Sequence, residues 1–252
     1  MIKNTIKIAL VGQPNVGKSM LINSISNARL KVGNFSGVTV SKEQVFFDYK
    51  NFHIEIVDLP GAYSLNDYTI EEKVTKDFLN NEKYDIILNV LDSTNLQRNL
   101  LLTAELLTLD KKMIIALNMS DEAEKESILI DEIQLSKILG KPCIKTSAAK
   151  KNGITKLLDE ILLKFQSQKV PSKFFFSNVI EEEIENISRD LEENKYETTE
   201  TYRQISLGLL KENKNIYKQF HDEPIWIKIQ PILTEAFEHL FIHFNSKNIK
   251  DI

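Results

Sequence analysis

Gly12-Gln13-Pro14-Asn15-Val16-Gly17-Lys18-Ser19 is the stretch that decides the fold of this chain. It follows Ile6-Lys7-Ile8-Ala9-Leu10-Val11, a short apolar run that predicts a buried strand, and leads into Met20-Leu21-Ile22-Asn23-Ser24-Ile25, which predicts a helix. Strand, glycine loop and helix in that order separate a phosphate-binding loop from a chance match. Gly12 and Gly17 let the backbone turn tightly and bring its N–H groups close to phosphates, and the helix N-terminus adds partial positive charge. The expected nucleotide contacts here are Gly12, Gln13, Pro14, Asn15, Val16, Gly17, Lys18, Ser19 and Met20. Lys18 is placed to reach the β- and γ-phosphates, and the Ser19 hydroxyl to ligate Mg²⁺. A glycine turn without a ligand is the alternative, and Lys-Ser at this offset argues against it.

Composition bounds the rest. A chain of 252 residues holds one large α/β domain, or a medium domain with a small partner. A net charge of −4 gives no basic face for nucleic acid, so no nucleic-acid partner is expected. Cys143 is the only cysteine, which excludes an intramolecular disulfide and fits a reducing compartment. Its apolar neighbours point to core packing. No apolar run is long enough to cross a bilayer and the N-terminus does not read as a signal peptide, so the chain as given is expected to be soluble.

Strand-like and helix-like stretches alternate to about residue 165, which predicts an α/β fold with a mostly parallel sheet, six strands in all. Val45-Phe46-Phe47 and Ile54–Val57 flank Asp48-Tyr49-Lys50-Asn51 and predict a hairpin. Tyr84–Leu91, Met113–Leu117 and Pro142–Thr146 read as further strands. Leu100–Leu109 and Ile154–Phe165 read as helices, as does a segment capped by Asp131 and closed by Gly140. Composition shifts near Val170-Pro171-Ser172, which divides the chain into domains 1–170 and 171–252. Ile180, Ile184, Ile187 and Leu191 repeat at helical spacing, with Glu181, Glu182, Glu183 and Glu185 expected on a solvated face. Tyr202, Ile205, Leu209 and Leu210 begin a second helix. A third apolar stretch runs from Ile225 to Phe244, with Pro231 expected to interrupt or start it.

Two motifs at strand ends narrow the nucleotide. Asp58-Leu59-Pro60-Gly61 follows the strand Ile54–Val57; Asp58 is placed to hold Mg²⁺ through water, and Gly61 to offer its N–H to a γ-phosphate. Asn118-Met119-Ser120-Asp121 follows Met113–Leu117. A carboxylate at Asp121 accepts from both N1–H and the exocyclic amine of guanine, donors that adenine does not present in that arrangement. Asn118 is expected to tie this loop to the phosphate loop, and Ser147-Ala148-Ala149 to supply a backbone N–H for the guanine carbonyl oxygen. Met119 and Ser120 depart from the commoner Asn-Lys-x-Asp wording, which leaves a broader NTPase open.

With these residues on the page, the sequence resembles the Ras-like GTPases of the translation-factor-related group. More narrowly it resembles the N-terminal cytosolic part of the bacterial ferrous iron transport protein B (FeoB) family. The resemblance rests on Gly12–Ser19, Gly33-Asn34-Phe35-Ser36-Gly37-Val38-Thr39-Val40, Asp58–Gly61 with Ala62-Tyr63-Ser64-Leu65, and Asn118–Asp121 with Met at its second position. Tyr202–Glu212 resembles the family's helical segment more loosely. The resemblance implies GTP binding and hydrolysis to GDP and phosphate, with loops 33–41 and 58–70 switching with nucleotide state. It implies that Gly37, Val38, Thr39 and Val40 contact the nucleotide and that Thr39 supplies a hydroxyl to Mg²⁺ alongside Ser19 and Asp58. It also implies a helical domain that slows GDP release, and a following transmembrane region of the same protein at the cytoplasmic face of the bacterial inner membrane. A small accessory iron-transport protein and an oligomer are further expected partners.

Ala62 stands where Ras-type enzymes carry the glutamine that orients water, so intrinsic hydrolysis is expected to be slow. In related GTPases an Asn at the position of Asn15 helps bind K⁺, which implies K⁺-stimulated hydrolysis with Asn15, Lys18, Thr39 and Gly61 as the catalytic set. The other reading of Asn15 is a loop brace. His239 and His243, one helical turn apart with Glu235 a turn earlier, have a spacing that a metal can use, although a helix-packing pair is the simpler reading. His53 and His221 show no partner pattern. The competing function is a free-standing soluble GTPase of ribosome or tRNA maturation, which predicts a basic RNA-binding module that the Glu-rich segment 172–252 lacks.

Overall fold

Strand β1, Asn4–Gly12, runs through the middle of a seven-stranded sheet and carries the phosphate loop on its C-terminal end. The structure, a computed structural model, describes residues 4–25, 29–35, 38–66, 68–168, 174–198 and 200–246. The chain divides into two compact units, residues 1–173 and 174–252. The boundary expected at 170/171 lies outside the described residues.

In the first unit, β1 is followed by α1 (Lys18–Ser24), β2 (Arg29–Asn34), β3 (Ser41–Tyr49), β4 (Phe52–Asp58), α2 (Ile70–Asn81) and β5 (Ile86–Asp92). Then come a short 3₁₀ turn at Ser93–Asn95, α3 (Leu96–Leu107), β6 (Met113–Asn118), α4 (Ser120–Lys125), α5 (Glu132–Leu139), β7 (Cys143–Lys145) and α6 (Ile154–Gln166). The strand order is β2-β3-β4-β1-β5-β6-β7. Neighbours from β4 to β7 pair in parallel, and only β2-β3 and β3-β4 are antiparallel. The sheet is thus mostly parallel, with seven strands in place of the six expected. The extra strand is β2, whose Gly33-Asn34 end reads as loop in sequence but pairs with Ser41 and Lys42 of β3.

Parallel strands covered on both faces are continuously apolar, and β5 and β6 are buried along almost their whole lengths. Ile6, Ile8 and Leu10 of β1, Ile54 and Ile56 of β4 and Leu88 of β5 pack with Leu21 and Ile22 of α1 and with Leu157, Leu158 and Ile161 of α6. Buried Asn89 interrupts the apolar run of β5 by donating to Thr103 Oγ1 of α3 at 2.8 Å. The hairpin between β3 and β4 turns at Lys50-Asn51, with Lys50 at φ 52°. Asp131 caps α5 through the N–H groups of Ile133 and Gln134, and Gly140 closes it in the left-handed region. Cys143 is buried in β7.

The second unit is helical: α7 (Asn178–Glu193), α8 (Tyr202–Leu210), α9 (Lys214–His221) and α10 (Trp226–Phe244). Its core joins Ile184, Ile187 and Leu191 to Leu209, Phe220, Ile229, Leu233 and Leu240. Two of the glutamates expected on a solvated face are buried. Glu181 takes a two-point ion pair from Arg203, at 2.5 and 2.7 Å, and accepts from the Phe176 N–H at 2.6 Å. Glu183 meets His239 Nδ1 at 2.5 Å. Burial of those carboxylates is sustained by these partners. Helix α10 neither starts nor breaks at Pro231 but runs through it. The carbonyl that loses its helical donor is that of Ile227, a residue exposed enough for water to replace the bond.

Ile187 is fully buried at the centre of this helical core. Ile187→Ala is expected to cost about 2–4 kcal/mol of unfolding free energy, read from urea denaturation as a lowered midpoint.

Candidate functional site

The C-terminal ends of β1, β4, β6 and β7 bring four loops together. In the first, the backbone of residues 13–17 winds back on itself with Asn15 at φ 68° and Gly17 at φ 85°. A Cβ on Gly17 would lie 2.5 Å from Asn118 Nδ2, so the close approach as well as the dihedral requires glycine. Lys18 begins α1 and its ammonium lies 3.5 Å from the Gly12 carbonyl it donates to. Burial pulls the Lys18 pKa down, and the charge of Asp58 partly restores it. Asp58, at the end of β4, is pushed up to about 6 by burial; Lys18 opposes the rise and Glu43, its register partner on β3, adds to it.

Asp58 Oδ1 is buried without a hydrogen-bond partner. A buried, unsatisfied carboxylate oxygen beside a phosphate loop is suited to a divalent cation or its water shell. Ser19 follows Lys18 at the start of α1 and is exposed. The residues present therefore fit Mg²⁺.

After Asp58 the chain stays close to the phosphate loop. Leu59 N donates to Leu10 O at 3.0 Å and Ala62 N to Gly12 O at 3.3 Å. A Cβ on Gly61 would lie 3.0 Å from Pro14 N, and Thr75 Oγ1 of α2 holds Pro60 O at 3.1 Å. Further along, buried Glu72 accepts from Ser64 N and Tyr68 N, each at 3.1 Å, and Glu105 of α3 accepts from Leu65 N at 2.5 Å. The Arg98 guanidinium lies over the Tyr63 ring at 4.8 Å, while Arg98 O accepts from Gln13 Nε2 at 2.8 Å. Glu72, Glu105 and Arg98 were not singled out in the sequence. Thr69-x-x-Glu72 has the spacing of a helix cap, and Thr69 does cap α2, but the Glu72 carboxylate turns to the preceding loop.

The Thr39 side lies apart from these contacts. Phe35 N donates to Val40 O at 3.0 Å and Val38 N to Phe35 O at 3.4 Å, between β2 and β3. Thr39 is exposed, and among the described residues no hydrogen bond joins it to the phosphate loop. Gly37 lies outside the described residues. Phe35 is buried edge-on against Phe78 of α2 at 6.1 Å, and Lys42 Nζ lies within 6 Å of both rings. This cluster joins the first expected switch segment to the helix that follows the second.

The fourth side is built on Asn118, which is buried at the end of β6. Its Nδ2 donates to Val16 O at 2.9 Å, while its Oδ1 accepts from Ala148 N at 3.1 Å and Thr146 Oγ1 at 3.3 Å. Met119 follows at φ 57° and turns the chain into α4, where Asp121 lies 3.4 Å from Lys150 Nζ. A hydrogen bond from Ser147, with the bond and charge of Lys150, holds the Asp121 carboxyl below its usual range. Ser147 and Ala148 are buried and Ala149 is exposed.

The histidines are engaged differently. His239 meets Glu183, His243 Nδ1 faces His239 O at 3.1 Å, and the two rings stand edge to face at 4.5 Å. Among the described residues no group of three or more His, Cys, Asp or Glu side chains is arranged to hold a metal ion, so Glu235 is not brought into a site with this pair. His53 has a partner after all: Asp48, across the hairpin, at 2.9 Å. His221 lies against Trp226.

A phosphate loop, an aspartate with a buried oxygen and an Asn118-braced loop around one mostly parallel sheet make the fold of a GTPase. The family model of ferrous iron transport protein B (FeoB_N) matches residues 6–161. The chain belongs to the FeoB family. It is 48% identical over 214 residues to the Fe(2+) transporter FeoB of Campylobacter jejuni, an alignment that covers 85% of this chain and 34% of that protein. It is 33% identical over 257 residues to a Fe(2+) transport protein A/Fe(2+) transporter FeoB fusion protein of Porphyromonas gingivalis, covering 98% of this chain and 30% of the fusion. The chain thus spans about a third of the length of these relatives. Among solved structures it is similar to the cytosolic domain of the Thermotoga maritima FeoB iron transporter in GDP form II, with TM-score 0.79, 33% identity, and coverage of 86% of this chain and 85% of that one. The GMPPNP form of the same domain matches with TM-score 0.76 and 34% identity, over 85% and 84% of the two chains. Among the described residues of the present chain, no helix is long and apolar enough to cross a membrane.

A carboxyl whose folded pKa lies above its unfolded value binds protons in the folded state that the unfolded state has released. Asp58 therefore makes folding stability fall as pH rises from about 4 through about 6. In metal-free and nucleotide-free buffer, Asp58→Asn is expected to raise the unfolding free energy at pH 7 by on the order of 1 kcal/mol, a gain that disappears near pH 4. Urea melts of both proteins at the two pH values measure it.

Proposed function

We propose that this chain binds GTP and hydrolyses it slowly to GDP and phosphate, as the regulatory part of a ferrous iron transporter at the cytoplasmic face of the bacterial inner membrane. The observation that carries the reading is the convergence of Lys18, Asp58 and the Asn118-tied loop at one edge of the sheet. Solved relatives in GDP and GMPPNP forms support the choice of guanine nucleotide. Family membership favours this reading over a free-standing factor of ribosome or tRNA maturation.

In this reading the N–H groups of the 12–20 loop and the Lys18 ammonium hold the phosphates. Ser19, Thr39 and Asp58, the last through water, hold Mg²⁺. When bound, Mg²⁺ neutralises charge on the β- and γ-phosphates. Gly61 offers its N–H to the γ-phosphate, and Asp121 with residues 147–149 reads the base. Gly37–Val40 contact the nucleotide only when the γ-phosphate is present, so loops 33–41 and 58–70 change with nucleotide state. Ala62 has no group to orient water, which accounts for slow turnover. Asn15, exposed on the loop, helps hold K⁺ and makes hydrolysis K⁺-stimulated. The helical domain, residues 171–252, slows GDP release and passes the nucleotide state to the transmembrane region of the full-length protein. An accessory partner resembling the transport protein A half of the fused relative is part of the same proposal.

Calorimetry with Mg²⁺ tests the base: GDP is expected to bind at least tenfold more tightly than ADP, and similar affinities would refute guanine selectivity. Lys18→Ala is expected to abolish measurable phosphate release. Phosphate release in K⁺ and Na⁺ buffers of matched ionic strength tests the cation. Faster turnover in K⁺ that Asn15→Ala removes supports it, whereas equal rates sink that part of the proposal.

A further inference from the structure

Lys150 lies just beyond the residues expected to read the base, and nothing in the reading above assigns it a role. Its ammonium is 3.4 Å from Asp121 Oδ2, and its own N–H donates to Ser147 Oγ at 3.2 Å. Ser147 in turn hydrogen-bonds the Asp121 carboxylate. Lys150 thus meets Asp121 twice, directly by charge and indirectly through a hydroxyl.

The turn that carries Lys150 is closed from both sides. Ser147 N donates to Asn152 O and Asn152 N to Ser147 O, each at 3.0 Å, and Lys151 N donates to Ala148 O at 3.3 Å with Lys151 at φ 53°. The start of this turn is fixed as well, since Ala148 N is held by Asn118. A lysine on a free loop would spend its side-chain entropy against a weak surface attraction. Here the backbone is already ordered, and Asp121 is largely shielded, with 13% of its side chain exposed against 58% for Lys150.

We propose that Lys150 is a positioning residue for base recognition: it holds the Asp121 carboxylate oriented for the guanine N1–H and exocyclic amine. The inference rests on the reading of Asp121 as the base-selecting group. An ionised carboxylate has about four lone-pair sites. Two serve the base and the others are shared among Ser147, Lys150 and the Asp121 N–H, so the ion pair coexists with bound guanine. The positive charge matters because its attraction fixes where the carboxylate points.

GDP titration by calorimetry into the whole chain, as wild type, K150A, K150R, D121A and D121A/K150A, provides the test. K150A is expected to weaken GDP binding about two- to fivefold, the factor that an exposed ion pair supplies. K150R is expected to stay within about twofold of wild type, and K150A to change nothing further once Asp121 is gone. Lys150 is exposed, so equal thermal midpoints are expected for K150A and wild type. If D121A loses affinity while K150A binds GDP as well as wild type, or more tightly, the role of Lys150 is overturned and the base reading stands. The same holds if K150A loses an equal factor in the D121A background. If D121A binds GDP like wild type, the base reading falls and the role of Lys150 falls with it.

Discussion

The side chain of Asn118 is the constraint on which the site depends. It has one donor group and one acceptor atom aimed in opposite directions, and both are used: the amide holds the phosphate loop at Val16, the oxygen holds the base loop at Thr146 and Ala148. Because the residue is buried, each of these bonds would leave an unsatisfied group if broken. A carboxylate there would repel the Val16 carbonyl, and an aliphatic side chain would release both loops. Glycine at position 17 follows from the same contact, since any side chain would occupy the space of the Asn118 amide. One amide thus fixes the distance between the phosphate loop and the loop after β7.

Around this fixed centre the carboxylates are treated unequally. A hydroxyl and an ammonium lower the pKa of Asp121, whereas burial and Glu43 raise that of Asp58. The first arrangement is complete without a cation. The second is not, and its unpartnered Oδ1 marks a place where positive charge beyond Lys18 would relieve an existing cost.

The strand ends were legible in the sequence because each strand carries apolar residues for the core and is followed at once by the residue type that its chemistry needs. Phosphate loop, Asp58 and Asn118 could be located on that basis alone, and so could the α7 stripe of Ile184, Ile187 and Leu191. Helices α2 and α9 were not legible. Helix α2 buries only Val74, Phe78 and Leu79 as apolar contacts, too sparse a pattern for helical periodicity to stand out, and α9 has eight residues with Ile216 and Phe220 as its buried apolar pair. Long-range pairs were the other blind spot. Glu181–Arg203, Glu183–His239 and Phe35–Phe78 join residues 22 to 56 positions apart, and nothing local announces them. A run of glutamates looks solvated whether or not an arginine and a histidine on other helices wait for two of its members.

The placement of β2 has a consequence for how the sheet can come apart. This strand is bonded to β3 alone, at the far end of the order from β6 and β7, while β1 is bonded on both sides. Peeling β2 away breaks six antiparallel register pairs and no parallel one. The opening free energies of the two regions are therefore separate quantities, in the sense of independent cooperative units. The ladder of β2 is held on one side only, whereas the ladder that supports residues 12–19 is held on both, so losing the first is expected to cost less than losing the second.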